Sequence, residues 1–223
     1  MHIIIQARIS SVRLAGKVLY EIKGKKLLEY IFNRLSFITD SKIIVATSNT
    51  LDDDAIENIC NENNVECYRG SLPNVSDRFL KAAKYFNADC FVRINGDSPL
   101  IDYNIINKAI DIFKENNYDL VTNTCPRSFP IGQSVEVVKT TTLKKIYKKM
   151  STPDHFEHVT KYFYENLSDF KIKNFINNRD LSNYRLVVDT RHDFDRMKKI
   201  IYNMDKQHTE YRMDDLIKLY PSN

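Results

Sequence analysis

The sequence predicts an α/β fold: a mainly parallel sheet with helices packed on both of its faces. Short apolar runs alternate with segments of helical periodicity from the first residues onward. Hydrophobic residues make up 43% of the chain and charged residues 28%, an ordinary globular balance that argues against disorder. Internal repeats, low-complexity tracts and linker-like stretches are absent, and Gly (5) and Pro (6) are scarce. The 223 residues are therefore expected to form one domain spanning 1–223.

The elements follow in order. His2–Ile5 reads as a buried strand, and Leu27, Leu28, Ile31, Phe32 and Leu35 mark the inner face of the next helix. Lys42–Thr47 is a second strand. Asp52–Asp54 then opens an acidic helix start, where carboxylates oppose the positive end of the helix dipole. Glu66–Arg69 is a third strand, and Ser76 is placed to cap a helix whose apolar face is Phe79, Leu80, Ala83 and Phe86. Cys90–Ile94 is the fourth strand, followed by a helix burying Ile105, Ile106, Ala109, Ile110 and Phe113, and by the strand Asp119–Thr122. This βαβαβα order is the pattern of a parallel sheet. The second half predicts strands at Ser134–Val138 and Tyr184–Val188. Helices are expected near Thr141–Lys149 and Phe156–Tyr164, and along Phe194, Met197, Ile201 and Met204.

Bulk properties narrow the function. A net charge of +4 suits a small phosphorylated ligand but is too weak and dispersed for nucleic acid. No apolar run approaches the ~20 residues that span a bilayer, and the amino-terminal segment lacks the apolar core of a secretory signal. A cytoplasmic location away from membranes is the expectation. The four cysteines (Cys60, Cys67, Cys90, Cys125) are far apart and are expected as buried reduced thiols.

In open α/β sheets, ligands bind at the carboxyl ends of the strands, and three motifs fall there. The first is Arg8-Ile9-Ser10-Ser11-Val12-Arg13-Leu14-Ala15-Gly16-Lys17. Its backbone amides, Ser11 and the guanidinium forks of Arg8 and Arg13 suit phosphate oxygens, and Lys17 adds a point charge. A solvated basic loop would have the same composition. The second is Arg93-Ile94-Asn95-Gly96-Asp97-Ser98-Pro99-Leu100, which sets Asp97 either as a cation ligand or as part of a turn and cap. The third, Val187-Val188-Asp189-Thr190-Arg191-His192-Asp193, delivers Asp189 either as a helix N-cap or as partner to Asp97 in a two-carboxylate Mg²⁺ site. Lesser candidates are Asp77 and Arg78 at a helix start, Gln133 and Glu136 beside a strand, and the pair Glu157-His158.

Together these motifs resemble the cytidylyltransferases of the CMP-Kdo and CMP-sialic acid synthetase superfamily, most closely its spore-coat-polysaccharide-like branch. The resemblance runs through I-Q-A-R-x-x-S-x-R-L-x-G-K at residues 5–17, V-A-T-S at 45–48 and S-D-R at 76–78. It continues in V-R-I-N-G-D-S-P-L-I-D at 92–102, V-E-V at 135–137, E-H-V-T at 157–160 and V-D-T-x-x-D at 188–193. It implies a nucleotide-diphospho-sugar transferase fold, a GT-A-like three-layer α/β/α sandwich, usually dimeric. It implies CTP, Mg²⁺ and a sugar or small acidic acceptor, with CMP transfer and pyrophosphate release in polysaccharide or glycan biosynthesis. By the same resemblance, Arg8, Ser11, Arg13 and Lys17 bind the triphosphate, and Gln6, Ala7, Thr47 and Ser48 lie near the cytosine. Asp97 and Asp189 hold the metal, and Arg8 and Lys17 act with them in catalysis. Arg78, Arg93, Gln133, Glu136 and His158 contact the acceptor. The family's usual Pro before Gly-Lys is Ala15 here, and the chain is shorter than typical sialic acid synthetases. The competing enzyme class is a GT-A glycosyltransferase acting on a preformed nucleotide sugar. A non-enzymatic binding module ranks last, because all the cations and acids are present.

Overall fold

A computed structural model describes residues 1–221. In chain order the elements are β1 (His2–Gln6), β2 (Glu21–Ile22), β3 (Lys25–Lys26), α1 (Leu27–Leu35), β4 (Ile43–Ser48), α2 (Asp54–Glu62), β5 (Glu66–Gly70) and α3 (Val75–Tyr85). There follow β6 (Cys90–Asn95), α4 (Tyr103–Glu115), β7 (Leu120–Thr122), β8 (Glu136–Lys139), α5 (Thr140–Tyr147), α6 (Pro153–Glu157) and α7 (Lys161–Glu165). The chain closes with β9 (Ile172–Asn174), α8 (Arg191–Tyr202) and α9 (Met213–Lys218).

Seven strands form one sheet in the order β5-β4-β1-β6-β8-β7-β9, and β2 and β3 make a separate hairpin. The pairs β5–β4, β4–β1, β1–β6 and β7–β9 are parallel. The mainly parallel α/β architecture is thus as expected, with one reversal: β8 runs antiparallel between β6 and β7. The strand expected at Asp119–Thr122 is β7, but β8 takes the place next to β6.

Both faces of the sheet are covered, which is why its strands read as unbroken apolar runs. Ile3, Ile5, Val45 and Val92 pack with Leu28 and Ile31 of α1, Ile56 and Ile59 of α2, and Ile106 of α4. Ile4, Ile44 and Phe91 turn the other way, onto Phe79 of α3, Leu143 of α5 and Phe163 of α7. A third cluster joins Leu27 and Tyr30 to Leu186, Val188, Met197 and Leu216.

Arg34 of α1 is fully buried. It ties the carboxyl-terminal segment to the sheet layers by donating to the carbonyls of Ile101 and Tyr211 (2.6 Å each) and of His208. Arg34→Met keeps the volume but leaves these acceptors without their donor. We expect a loss of about 2–3 kcal/mol in urea-unfolding stability, since an unsatisfied buried carbonyl costs about 1–3 kcal/mol.

Four local expectations are corrected. The cap of α3 is Asn74, whose side chain accepts from the Asp77 amide at 2.8 Å, and Ser76 lies inside the helix with its hydroxyl on the His155 carbonyl. The helix expected at Phe156–Tyr164 is broken into α6 and α7, with His158 extended between them. Tyr184–Val188 forms no strand of the sheet and makes only an isolated bridge, because its backbone partners are loop residues: Leu186 N–H donates to Ile131 O and Val188 N–H to Asp97 O. Of the cysteines only Cys60 is buried, and Cys125 is exposed. Among the described residues no helix is long and apolar enough to cross a membrane.

Candidate active site

Strands β1 and β6 end level with each other, Gln6 lying opposite Asn95, and β4 runs two residues past Ala46, the partner of Gln6 on its other side. Gly96 follows β6 directly, and its N–H donates to Gln6 O at 2.8 Å. A Cβ at Gly96 would stand 2.8 Å from that oxygen and 3.1 Å from Ala7 Cβ, so only glycine lets the two strand ends approach this closely. Asp97 therefore emerges beside the start of the basic loop. The segment 184–188, pinned to Asp97 O through Val188, brings Asp189 to the same point.

Asp189 is not the cap of α8. That place belongs to Thr190, paired in a capping box with Asp193. Burial alone would raise the Asp193 pKa, but hydrogen bonds from Arg185, Thr190 and Arg196 outweigh it and hold the carboxyl well below the usual carboxylate range. Asp193 also accepts from the Asp189 amide at 3.2 Å, which steadies the backbone and leaves the Asp189 carboxylate for the cavity.

Lys17 opens a 3₁₀ turn (Lys17–Leu19) and is buried. Its Nζ donates to Asp97 Oδ2 at 2.8 Å and to Asp189 Oδ1 at 2.7 Å. Arg13 reaches Asp189 Oδ1 at 3.2 Å. Arg8 makes a two-pronged pair with Glu157, at 2.7 and 3.2 Å. All of these groups line one polar cavity of about 330 Å³, together with Gln6, Ala7, Ser11, Val18, Arg93, Asn95, Gly96 and His158. A cavity walled by Arg8, Arg13, Lys17 and Arg93 can take several phosphate oxygens once the facing carboxylates yield.

Five of the residues expected at the site lie outside this cavity, each for a physical reason. Thr47 and Ser48 are fully buried: the Asp53 carboxylate accepts from the Thr47 hydroxyl and the Ser48 amide at 2.9 Å each. Asp53 also accepts from the Ile9 amide at 2.7 Å, so it clasps the basic loop to the end of β4. Its acidic run was legible only as a helix start, because a clasp across 44 positions leaves no local signal. Gln133 is likewise consumed inside the fold, accepting from the Asp102 amide and donating to Leu100 O.

Glu136 on β8 accepts from Arg93 (2.6 Å), Thr160 (2.8 Å) and Tyr164 (2.5 Å). Its carboxylate orients Arg93, whose other branch donates to Gln6 Oε1 at 2.8 Å. Arg78 is buried behind Arg8, with Nη1 on Ser71 O and with Nε and Nη2 unpartnered. Burial, and next the Arg8 charge, lower its pKa to about 10.

The Mg²⁺ expected from the sequence can be tested against this donor set. Two hard carboxylate oxygens converge within 2.8 Å of one ammonium nitrogen, so a cation is already accommodated between them. Among the described residues no group of three or more His, Cys, Asp or Glu side chains gathers to hold a metal. Two carboxylates, with water and substrate phosphates in the other positions, is the arrangement Mg²⁺ accepts. The residues fit.

The family described as Cytidylyltransferase matches residues 2–219. The spore coat polysaccharide biosynthesis protein SpsF of Bacillus subtilis is 28% identical, over 99% of this chain and 93% of its own. The solved structure of a cytidylyltransferase from Leptospira borgpetersenii serovar Hardjo-bovis superposes with a TM-score of 0.93 at 34% identity, covering 97% of this chain and 92% of that one. CMP:2-keto-3-deoxy-manno-octonic acid synthetase, solved in complex with CTP, shares the fold at a TM-score of 0.68 and 16% identity, over 90% of this chain and 98% of that one.

Proposed function

Because the chain belongs to the cytidylyltransferase family, we propose that it transfers CMP from CTP to a sugar, sugar acid or other small acidic acceptor and releases pyrophosphate. The observation that carries this reading is the Lys17 ammonium held between Asp97 and Asp189, in one cavity with Arg8, Ser11 and Arg13. A cation already seated between two carboxylates and flanked by guanidinium groups is what a metal-bound triphosphate requires. The CTP-bound synthetase of the same fold and the polysaccharide role in the SpsF name support the nucleotide and the pathway class.

The chemistry is an in-line displacement. An acceptor oxygen attacks the α-phosphorus, and the bond to the bridging oxygen breaks with its electron pair leaving on pyrophosphate. Bound Mg²⁺ supplies charge neutralisation on the phosphates. Asp97 and Asp189 would hold it, leaving Lys17 to pair with the phosphoryl oxygens. Arg8, Arg13 and Ser11 bind the departing phosphates, so the protein contributes position and charge more than covalent chemistry. Gln6 and Ala7 lie near the base, and Arg93 and His158 face the acceptor. The protein works in the cytoplasm as a homodimer, one domain per chain.

The test is a screen of purified protein with Mg²⁺, each of four nucleoside triphosphates, and a panel of sugar acids and phosphorylated sugars, scoring pyrophosphate. CTP is expected to be the preferred donor, and chelation of the metal to stop release. Activity only on a preformed nucleotide sugar would favour a glycosyltransferase instead.

A further inference from the structure

Arg8 and Glu157 both line the cavity, yet they are occupied with each other. The contact has the two-pronged form that a guanidinium makes with two phosphate oxygens, at 2.7 and 3.2 Å. Glu157 thus stands where the phosphate expected on Arg8 would stand. Among the described residues Arg8 is the sole hydrogen-bond partner of its carboxylate. The backbone beneath it is fixed: α6 is capped by Thr152 and tied to α3 through Ser76 Oγ on His155 O. The side chain is 29% exposed, held only by Arg8.

The other acids at the site each have a use that survives nucleotide binding. Asp97 and Asp189 have the metal, and Glu136 keeps Arg93, Thr160 and Tyr164. Glu157 alone is released with nothing to hold. A carboxylate freed on the cavity wall can only accept hydrogen bonds, so it suits a hydroxyl as the attacking group beside it and disfavours a phosphate or carboxylate in that one place.

We infer, building on the cytidylyltransferase reading, that Glu157 gives up Arg8 to the nucleotide phosphates and then binds and deprotonates the attacking hydroxyl of the acceptor. The hydroxyl proton passes to the Glu157 carboxylate as the acceptor oxygen bonds to the α-phosphorus. The bond from that phosphorus to the pyrophosphate oxygen breaks, and its electron pair leaves with pyrophosphate. Because Arg8 masks the carboxylate until nucleotide arrives, the base is exposed only when there is a phosphorus to attack. The acceptor class follows: the nucleophile is a hydroxyl of a sugar or sugar acid, and not a phosphate, which would need no base.

E157Q and E157D are to be compared with wild type by calorimetric titration with CTP and Mg²⁺, and by pyrophosphate release with the best phosphate-free sugar acid of the panel. Glu157→Gln should bind CTP about 2–5-fold more tightly, since the phosphates no longer compete with an ion pair of that strength. Its turnover should fall ~10²-fold or more with an unchanged melting temperature, and Glu157→Asp should recover part of the loss. In an Arg8→Ala background the Gln substitution should no longer tighten CTP binding. Weaker or unchanged CTP affinity in E157Q, unimpaired turnover, or a phosphorylated sugar proving the fastest acceptor would overturn the inference while leaving the family's reaction intact. Wild-type protein that bound no CTP would overturn both.

Discussion

Replacing Asp97 by alanine is expected to lower pyrophosphate release by ~10²-fold or more while leaving the fold intact. Asp97 sits on the turn after β6, and its carboxylate is partly exposed, with 20% side-chain accessibility. Its loss therefore opens no core cavity, and Lys17 keeps Asp189 as a partner at 2.7 Å. The expected loss is of a different kind. With one carboxylate gone, a divalent ion held as proposed would keep a single protein ligand, and the surplus positive charge of Lys17 and Arg13 would oppose it directly. Residual activity should thus require more Mg²⁺ than wild type does. Steady-state rates across a Mg²⁺ series, with a melting curve as control, measure both effects. A well-folded Asp97→Ala protein turning over at nearly the wild-type rate would remove the metal role from Asp97.

Gly132→Ala should have the largest effect on stability, at about 4 kcal/mol or more, and should impair turnover as well. Gly132 has φ +101°, where an L side chain is strained. A Cβ there would also lie 2.2 Å from Leu186 O and 2.4 Å from its carbonyl carbon. Backbone cannot swing aside as the tip of a side chain can. The 184–188 segment would have to lift away from Ile131, and with it the Val188 amide bond to Asp97 O that sets Asp189 in place. Urea unfolding reports the first effect. The second appears as a raised Mg²⁺ requirement in whatever protein remains folded, and a Gly132→Ala protein as stable as wild type would contradict the geometry.

Most of the sheet was legible because its strands are buried on both faces and so appear as apolar runs between amphipathic helices. The β2–β3 hairpin and β9 escaped notice because they span two or three residues each, too few to show a period. The 184–188 segment was apolar enough to look like a strand, but apolarity does not say whether the backbone partner is a ladder or a loop. At the site, Arg8, Lys17, Asp97 and Asp189 could be singled out because they stand in motifs that resemble a family's, although order alone left each open to a plainer reading. Thr47, Ser48 and Gln133 could not, since a polar side chain at a strand end reads the same whether it faces solvent or satisfies a buried amide. The Asp53 clasp and the Glu136–Thr160–Tyr164 network join positions 24 to 44 apart, and only the fold brings them together.

The reversed strand β8 divides the labour of the two flanks. Residues 2–97 build the ledge that carries Gln6, Arg8, Lys17 and Asp97, and that ledge is complete before β8 is laid down. Glu136, Thr160 and Tyr164 belong to a later stretch that meets it along the β6–β8 ladder and through side-chain bridges, Arg93 on Glu136 and Arg8 on Glu157. Exchanging the stretch from β8 to β9 for that of a relative should therefore retune one flank and spare the other only where the ladder partners of β6 and the residues matching Glu136, His155 and Glu157 are kept.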